Sequence, residues 1–290
     1  MFKLKIRKRF LYLLFGMLFA VVYVVGCQAD FIARRLAFHP PKFPAGDWDF
    51  VHDSFTEVQF KNSREQVLVG RYIDFRKTFA DDTERAGRVA IGSILYCHGN
   101  AENISYITDF AIGLSRDLGC NVFIFDYAGY GKSESTPTTV GILDDGRAAR
   151  DWLAKHDRIA KDAVIVYGQS LGGCVAVDIA AKDGARGLIV ESSFTSLDAM
   201  GKVLLPFLPV KILLKERLAS VEKIGGYRGK TFISHGKADR VIPFAQGEKL
   251  YEAANAPKTF YIPPSGKDQH SAWHCNEHRE KLREFVAGLE

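Results

Sequence analysis

The sequence predicts a doubly wound α/β fold: a mostly parallel eight-stranded sheet with helices on both faces. Three observations carry this. Six short, nearly continuous apolar runs recur after residue 88, as strands covered on both faces require. Segments of helical period separate them, the alternation that parallel strands need for their crossovers. Two further β-rich runs ahead of them, "FTEVQF" and "VLVGRYIDF", are placed to pair as a hairpin. A chain of 290 residues, 47% hydrophobic and 25% charged, suffices for one sizeable domain.

The elements follow in order. Residues 1–26 read as a signal peptide or signal anchor. Lys3, Lys5, Arg7, Lys8 and Arg9 form a basic flank, and "LYLLFGMLFAVVYVVG" is 16 residues without a charge. The run ends in "VVGC", which leaves two readings: a lipobox whose Cys27 is lipidated as the mature N-terminus, or an uncleaved anchor with Cys27 a bystander. In both, the basic flank stays cytoplasmic and the body lies on the far side of a membrane, periplasmic or extracellular. Residues 27–46, with the proline-broken "RRLAFHPPKFPAG", form a linker, and 47–290 the folded domain. After the hairpin, "VAIGSILYCHG", "NVFIFDYAG", "AVIVYG", "GLIVESS", "TFISHG" and "KTFYIPP" are strands. "ISYITDFAIGLSRDLG" puts Tyr106, Ile107, Phe110, Ala111 and Leu114 on one helical face and stops at a glycine. "TTVGILDDGRAARDWLAKH", "LGGCVAVDIAAK" and "PFAQGEKLYEAAN" are further helices.

The net charge of +5 resides in the first 26 residues and the remainder is neutral, which leaves no electrostatic footprint for nucleic acid. Cys97, Cys120, Cys174 and Cys275 follow no metal-finger spacing and read as buried thiols, with a disulfide open in an oxidising compartment.

Ligands of such sheets bind beyond the carboxyl ends of the strands, so the chemistry belongs in the turns there. "IVYGQSLGGC" ends a strand at Ser170, spaced by Gly168 and Gly172 in G-x-S-x-G, and runs directly into a helix. That turn presents a nucleophilic hydroxyl at its apex; the alternative is a serine that caps the helix. A serine needs a base, and the base an orienting acid. "TFISHGKADRVIP" offers Asp239 after the seventh strand, otherwise a plain turn residue, and "KTFYIPPSGKDQHSAWH" offers His270 after the eighth. His270, His274 and His278 are spaced by four. A metal cluster with Cys275 is one reading of that spacing, and a solvated helix carrying His274 and His278 the other. His270, nearest the strand end, is the candidate base. The turn His98-Gly99-Asn100-Ala101 supplies an oxyanion donor, the backbone N–H of Ala101 or Asn100, opposite that of Leu171. His98 shapes this turn, and Asn103, although in an N-I-S sequon, has a local hydrogen-bonding role. The scheme needs no metal or organic cofactor.

"YGQSLGG", "YCHGNAEN", "FDYAGYGKSES", "ESSFTS" and "HGKADRVIP", in the order Ser, Asp, His, resemble the membrane-anchored branch of the α/β-hydrolase superfamily, which includes hydrolases acting on lysophospholipids and on S-acylated proteins. The likeness runs from "RRLAFHP" to the C-terminus. It implies the α/β-hydrolase fold, with a small helical lid insertion at 197–228 whose "AMGKVLLPFLPVKILL", broken by Pro206 and Pro209, is either a greasy wall for an acyl chain or a segment packed on the sheet. It also supports Ser170 as nucleophile, Asp239 as acid and His270 as base. One departure stands: relatives usually carry the histidine one or two residues after the glycine, whereas here Gly266 to Gln269 precede His270. Asp126 and Glu191 match acids near the site in relatives, Asp126 as a turn organiser and Glu191 as a second candidate for the acid. The expected activity is that of a membrane-tethered serine hydrolase cleaving a carboxylic ester or thioester of a small or lipid-like acyl substrate through an acyl-enzyme. A serine peptidase shares the constellation. A tethered binding module that has kept the fold is the third reading, and the complete set of Ser, Asp, His and oxyanion turn argues against it.

Overall fold

The computed structural model describes residues 16–17, 37–79, 82–85, 87–204, 217–264 and 272–289. Nearly all of the leader, Cys27, the first part of the linker, the middle of the insertion and His270 lie outside the described residues.

Eight strands form one sheet: β1 Phe55–Lys61, β2 Val67–Ile73, β3 Ser93–Cys97, β4 Asn121–Phe125, β5 Ile165–Gln169, β6 Gly187–Glu191, β7 Thr231–Ser234 and β8 Lys258–Tyr261. Their order is β1-β2-β4-β3-β5-β6-β7-β8. The hairpin pairs antiparallel within itself and onto β4, and the remaining neighbours are parallel. The longer helices are α1 Ile104–Leu118, α2 Thr139–Asp157, α3 Leu171–Asp183, α4 Leu197–Leu204, α5 Phe244–Ala253 and α6 Asn276–Ala287.

The apolar runs become strands because the sheet is covered twice. Adjacent residues point to opposite faces, so Leu95, Val166 and Val190 enter one core while Ile94, Ile165 and Ile189 enter another. The first core takes Leu153 of α2, Val175 of α3 and Leu250 of α5; the second takes Ile107 and Leu114 of α1 and Leu282 of α6. Each such side chain contributes roughly 1.5–3 kcal/mol by leaving water.

Helix α1 starts where Asn103 accepts from Ser105 N and stops at Gly119, whose φ of 68° a side chain would resist. Its buried stripe runs through Ile104, Ile107, Ala111, Leu114 and Leu118. That stripe corrects the expected face: Tyr106 lies one residue round the helix and is turned to solvent.

The register levels the carboxyl ends. Cys97 lies opposite Gly168, Gln169 opposite Glu191, Glu191 opposite Ser234, and Ser234 opposite Tyr261. Across these ends runs the stretch read as a linker, which over residues 37–46 is a strap bound to the body. Asn100 Nδ2 donates to Ala37 O at 2.9 Å, and Asn103 Nδ2 donates to Pro41 O and Ala45 O. Phe43 N donates to Gly131 O at 2.9 Å, and Phe38 is buried. The two ends of the insertion also meet. Leu197 N donates to Arg217 O, and the Arg217 guanidinium sits 2.9 Å from Asp198, while Leu197, Met200 and Leu218 pack on the core. Cys97, Cys120 and Cys174 are buried free thiols and Cys275 is half-buried and free.

Candidate active site

Three glycines set the shape of the β5–α3 turn. A Cβ on Gly168 would lie 2.2 Å from Gly172 O, one on Gly172 only 1.9 Å from Cys97 O, and one on Gly173 2.4 Å from Ser193 Oγ. Strand, helix and the end of β3 therefore approach at a distance no other residue allows. Between them Ser170 has φ 53° and ψ −117°, a strained conformation that costs on the order of 1–3 kcal/mol. Its side chain makes no capping hydrogen bond to α3, which removes the capping reading. Its backbone is fixed from both sides: Ser170 N donates to Glu191 O at 2.9 Å, and Ser193 Oγ donates to Ser170 O at 2.7 Å.

The turn after β3 abuts the serine, since a Cβ on Gly99 would stand 3.7 Å from Ser170 Cβ. His98 is fully buried, and desolvation pushes its imidazole down to about 4, so it is neutral at pH 7. Its Nδ1–H donates to Gly99 O at 2.7 Å. In a trans peptide the C=O and the next N–H point in opposite directions, so this bond turns the Asn100 N–H away from His98. Among the described residues no acceptor meets the N–H of Asn100, Ala101 or Leu171. Of the two alternatives for the first oxyanion donor, Asn100 is the one whose peptide is held in orientation.

The Asn100 side chain adds a role the sequence reading missed. Its Oδ1 accepts from Tyr130 OH at 2.7 Å and from His39 N at 3.1 Å, while its Nδ2 reaches Ala37 O. The candidate oxyanion turn is thus clamped to the strap and to the loop after β4. The signal was present in "YCHGNAEN" and "FDYAGYGKSES", but nothing local pairs those motifs with residues 37–39.

Asp126, without exposed surface, accepts from Ile104 N at 2.9 Å and faces His98 Nε2 at 3.6 Å. Burial raises its carboxyl to about 8, which keeps it protonated at neutral pH. It organises the turn and the start of α1.

Asp239 lies in the loop after β7 with its carboxylate shielded from solvent. Its Oδ1 accepts from Val241 N at 2.7 Å and Ile242 N at 2.9 Å, and its Oδ2 is 3.5 Å from His235 Nε2. Glu191, the second candidate for the acid, has both oxygens committed: one accepts from Tyr167 OH and the other from Ala272 N, the latter at 2.6 Å. His270 lies outside the described residues. Helix α6 begins only at Asn276, so the spacing of four does not align the three histidines on one helix. His274 is exposed ahead of it. His278 is not solvated but buried beside Phe232 and Tyr261, with Nε2 3.2 Å from Ser234 Oγ; burial lowers its pKa. Among the described residues no group of three or more His, Cys, Asp or Glu side chains is arranged to hold a metal ion.

The structure thus brings Ser170, Leu171 and the Gly99–Ala101 turn into contact, with Asp239 on the same rim. Two clefts lie at the other end of the strands: about 520 Å³ beside His52 and Phe79, and about 650 Å³ beside Asn121 and Arg186. Neither touches Ser170.

Residues 92–211 match the family model described as alpha/beta hydrolase fold. The chain is 34% identical to the uncharacterized protein Rv2307c of Mycobacterium tuberculosis over 59% of its own length, and spans 61% of that relative. It is 33% identical to alpha/beta hydrolase domain-containing protein 17B of Homo sapiens, over 88% of this chain and 91% of the human one. Among solved structures, the esterase Pf2001 of Pyrococcus furiosus shares the fold, with a TM-score of 0.66 at 20% identity over 86% of this chain and 98% of the esterase.

Proposed function

The chain belongs to the alpha/beta hydrolase fold family, and on that premise we propose that it is a membrane-tethered serine hydrolase of carboxylic esters or thioesters, held on the non-cytoplasmic side by its leader. The observation that carries this is Ser170, strained, uncapped and pressed against a turn whose Asn100 and Ala101 N–H groups meet no acceptor among the described residues. Such strain persists where a hydroxyl must be presented.

In this reading Ser170 Oγ attacks the acyl carbon, and the N–H groups of Asn100 and Leu171 receive the developing oxyanion. Removing one such donor typically costs ~10²–10³ in rate. His270 takes the proton and returns it to the leaving alcohol or thiol, and Asp239 holds the imidazole. Water then releases the acyl group. Support for the loop carrying His270 comes from a short tether: Ala272 is bonded to the Glu191 side chain, and the Glu191 carbonyl receives the Ser170 N–H. His278 is withdrawn into the core, which removes it as a base.

Ser170→Ala should abolish hydrolysis of a chromogenic ester and labelling by a fluorophosphonate, with the far-UV circular dichroism unchanged. Undiminished labelling would take the serine out of the scheme. His270→Ala should be as damaging, because triad members act as a unit, and His274→Ala should remain active; the reverse result moves the base.

A further inference from the structure

The carboxyl-end rim carries more than the candidate site. Three of its segments, "HPPKFPA" (39–45), "KADRVIP" (237–243) and "IPP" (262–264), hold Lys42, Lys237 and Arg240 against a single acid, Asp239, which is shielded. In the same segments Phe43 is 54% exposed, Val241 57% and Ile262 38%. All three lie on the strands' carboxyl side: Phe43 pairs with Gly131 beyond β4, Val241 follows β7 and Ile262 follows β8. Large apolar side chains in water beside cations are the composition of an interfacial surface.

Where the chain enters the body decides what that surface meets. Ala37 is bonded to Asn100 on this rim, and the 16-residue uncharged run ends at Gly26. Residues 27–36 alone join the two, and the eleven steps from Gly26 to Ala37, fully extended, reach at most roughly 40 Å. A domain of this size is roughly 45 Å across. The tether is therefore too short to climb the body and hold the opposite end against the bilayer. That opposite end also exposes Val51, Val89 and Ile91, but no tether arrives there.

We propose that the carboxyl-end rim lies flat on an anionic lipid bilayer, with Phe43, Val241 and Ile262 in the interface and Lys42, Lys237 and Arg240 at the headgroups, so that the acyl chain of the substrate reaches Ser170 from the membrane. This deepens the reading above and rests on it for the tether and the substrate; the docking itself is testable apart from activity. The reach of residues 27–36 excludes the inverted orientation, and the pairing of cations with apolar tips selects the rim over the flanks. Lipids carrying negative headgroups strengthen the contact through the three cations.

The test uses the full chain on phosphatidylcholine vesicles with and without phosphatidylglycerol. A form keeping only Trp48, whose ring stands 5.8 Å from that of Phe43, is made by Trp152→Phe and Trp273→Phe. Brominated phosphatidylcholine should quench Trp48 strongly, and should leave a form keeping only Trp152 unquenched. Protein that floats with the vesicles while Trp48 stays unquenched, or protein that fails to float, overturns the proposal. In parallel, Phe43→Ser, Lys237→Ser and Ile262→Ser combined should leave turnover of dissolved p-nitrophenyl acetate unchanged. The same variant should slow hydrolysis of a long-chain acyl ester embedded in the vesicles by about tenfold or more. Equal rates on the embedded ester overturn the docking. Absence of acetate hydrolysis by the unmodified chain would instead sink the hydrolase reading, with the quenching result still deciding the orientation.

Discussion

Asn100 lies in no strand or helix, yet its side chain joins the strap, Tyr130 and the turn beside Ser170. Its backbone N–H needs no particular side chain, so Asn100→Ala should keep the donor and lose its aim. We expect kcat for a soluble ester to fall by about tenfold or more, with KM within about twofold, since the loss falls on the transition state. A KM-only change would mean that the clamp shapes binding rather than the oxyanion site. Ser170 was legible because its whole device is local, a serine between glycines at a strand–helix junction. The clamp was not, because Ala37 and Asn100 are 63 residues apart. The same holds for Glu191 and Ala272, 81 apart, and for His278, whose spacing suggests a solvated helix until Phe232 and Tyr261 cover it.

At the scale of elements, the apolar runs placed six strands because a sheet covered on both faces leaves little room for any other reading, and the two β-rich runs ahead of them placed the hairpin. Helix faces are less secure: a stripe shifted by one residue turns Tyr106 outward, and both registers of α1 carry apolar side chains. The contact of α3 with β3 is a packing constraint that sequence shows only as glycine. A methyl group on Gly172 would overlap the Cys97 carbonyl, and backbone cannot yield as a flexible side chain does. Gly172→Ala should lower stability by about 3 kcal/mol or more, read from the urea midpoint, because strand and helix must separate. Gly225→Ala, whose nearest contact would be 3.3 Å, should cost far less.

Over the whole molecule, two buried ionisable groups under the oxyanion turn tie stability to pH with opposite signs. His98 is held neutral, its pKa lowered from 6.5 to about 4, so it costs stability as pH falls from 6.5 towards 4. Asp126 is held protonated, its pKa raised from 3.8 to about 8, so it costs stability as pH rises from 3.8 towards 8. Between pH 6.5 and 8 only Asp126 of this pair still pulls. Stability should therefore decline there by up to about 2 kcal/mol and level off above pH 8. Asp126→Asn, which keeps the acceptor for Ile104 N, should flatten that slope in denaturation curves; an unchanged slope would place the proton elsewhere. The strap carries one last consequence, for anyone trimming the leader to obtain a freely dissolved protein. A chain restarted at Asp47, the boundary that composition suggests, discards His39 and the carbonyl of Ala37, and Asn100 is held by Tyr130 alone. Such a protein would be sluggish, and its sluggishness would be mistaken for dependence on lipid. Cutting ahead of Ala37 keeps the buckle fastened and lets the two causes be told apart.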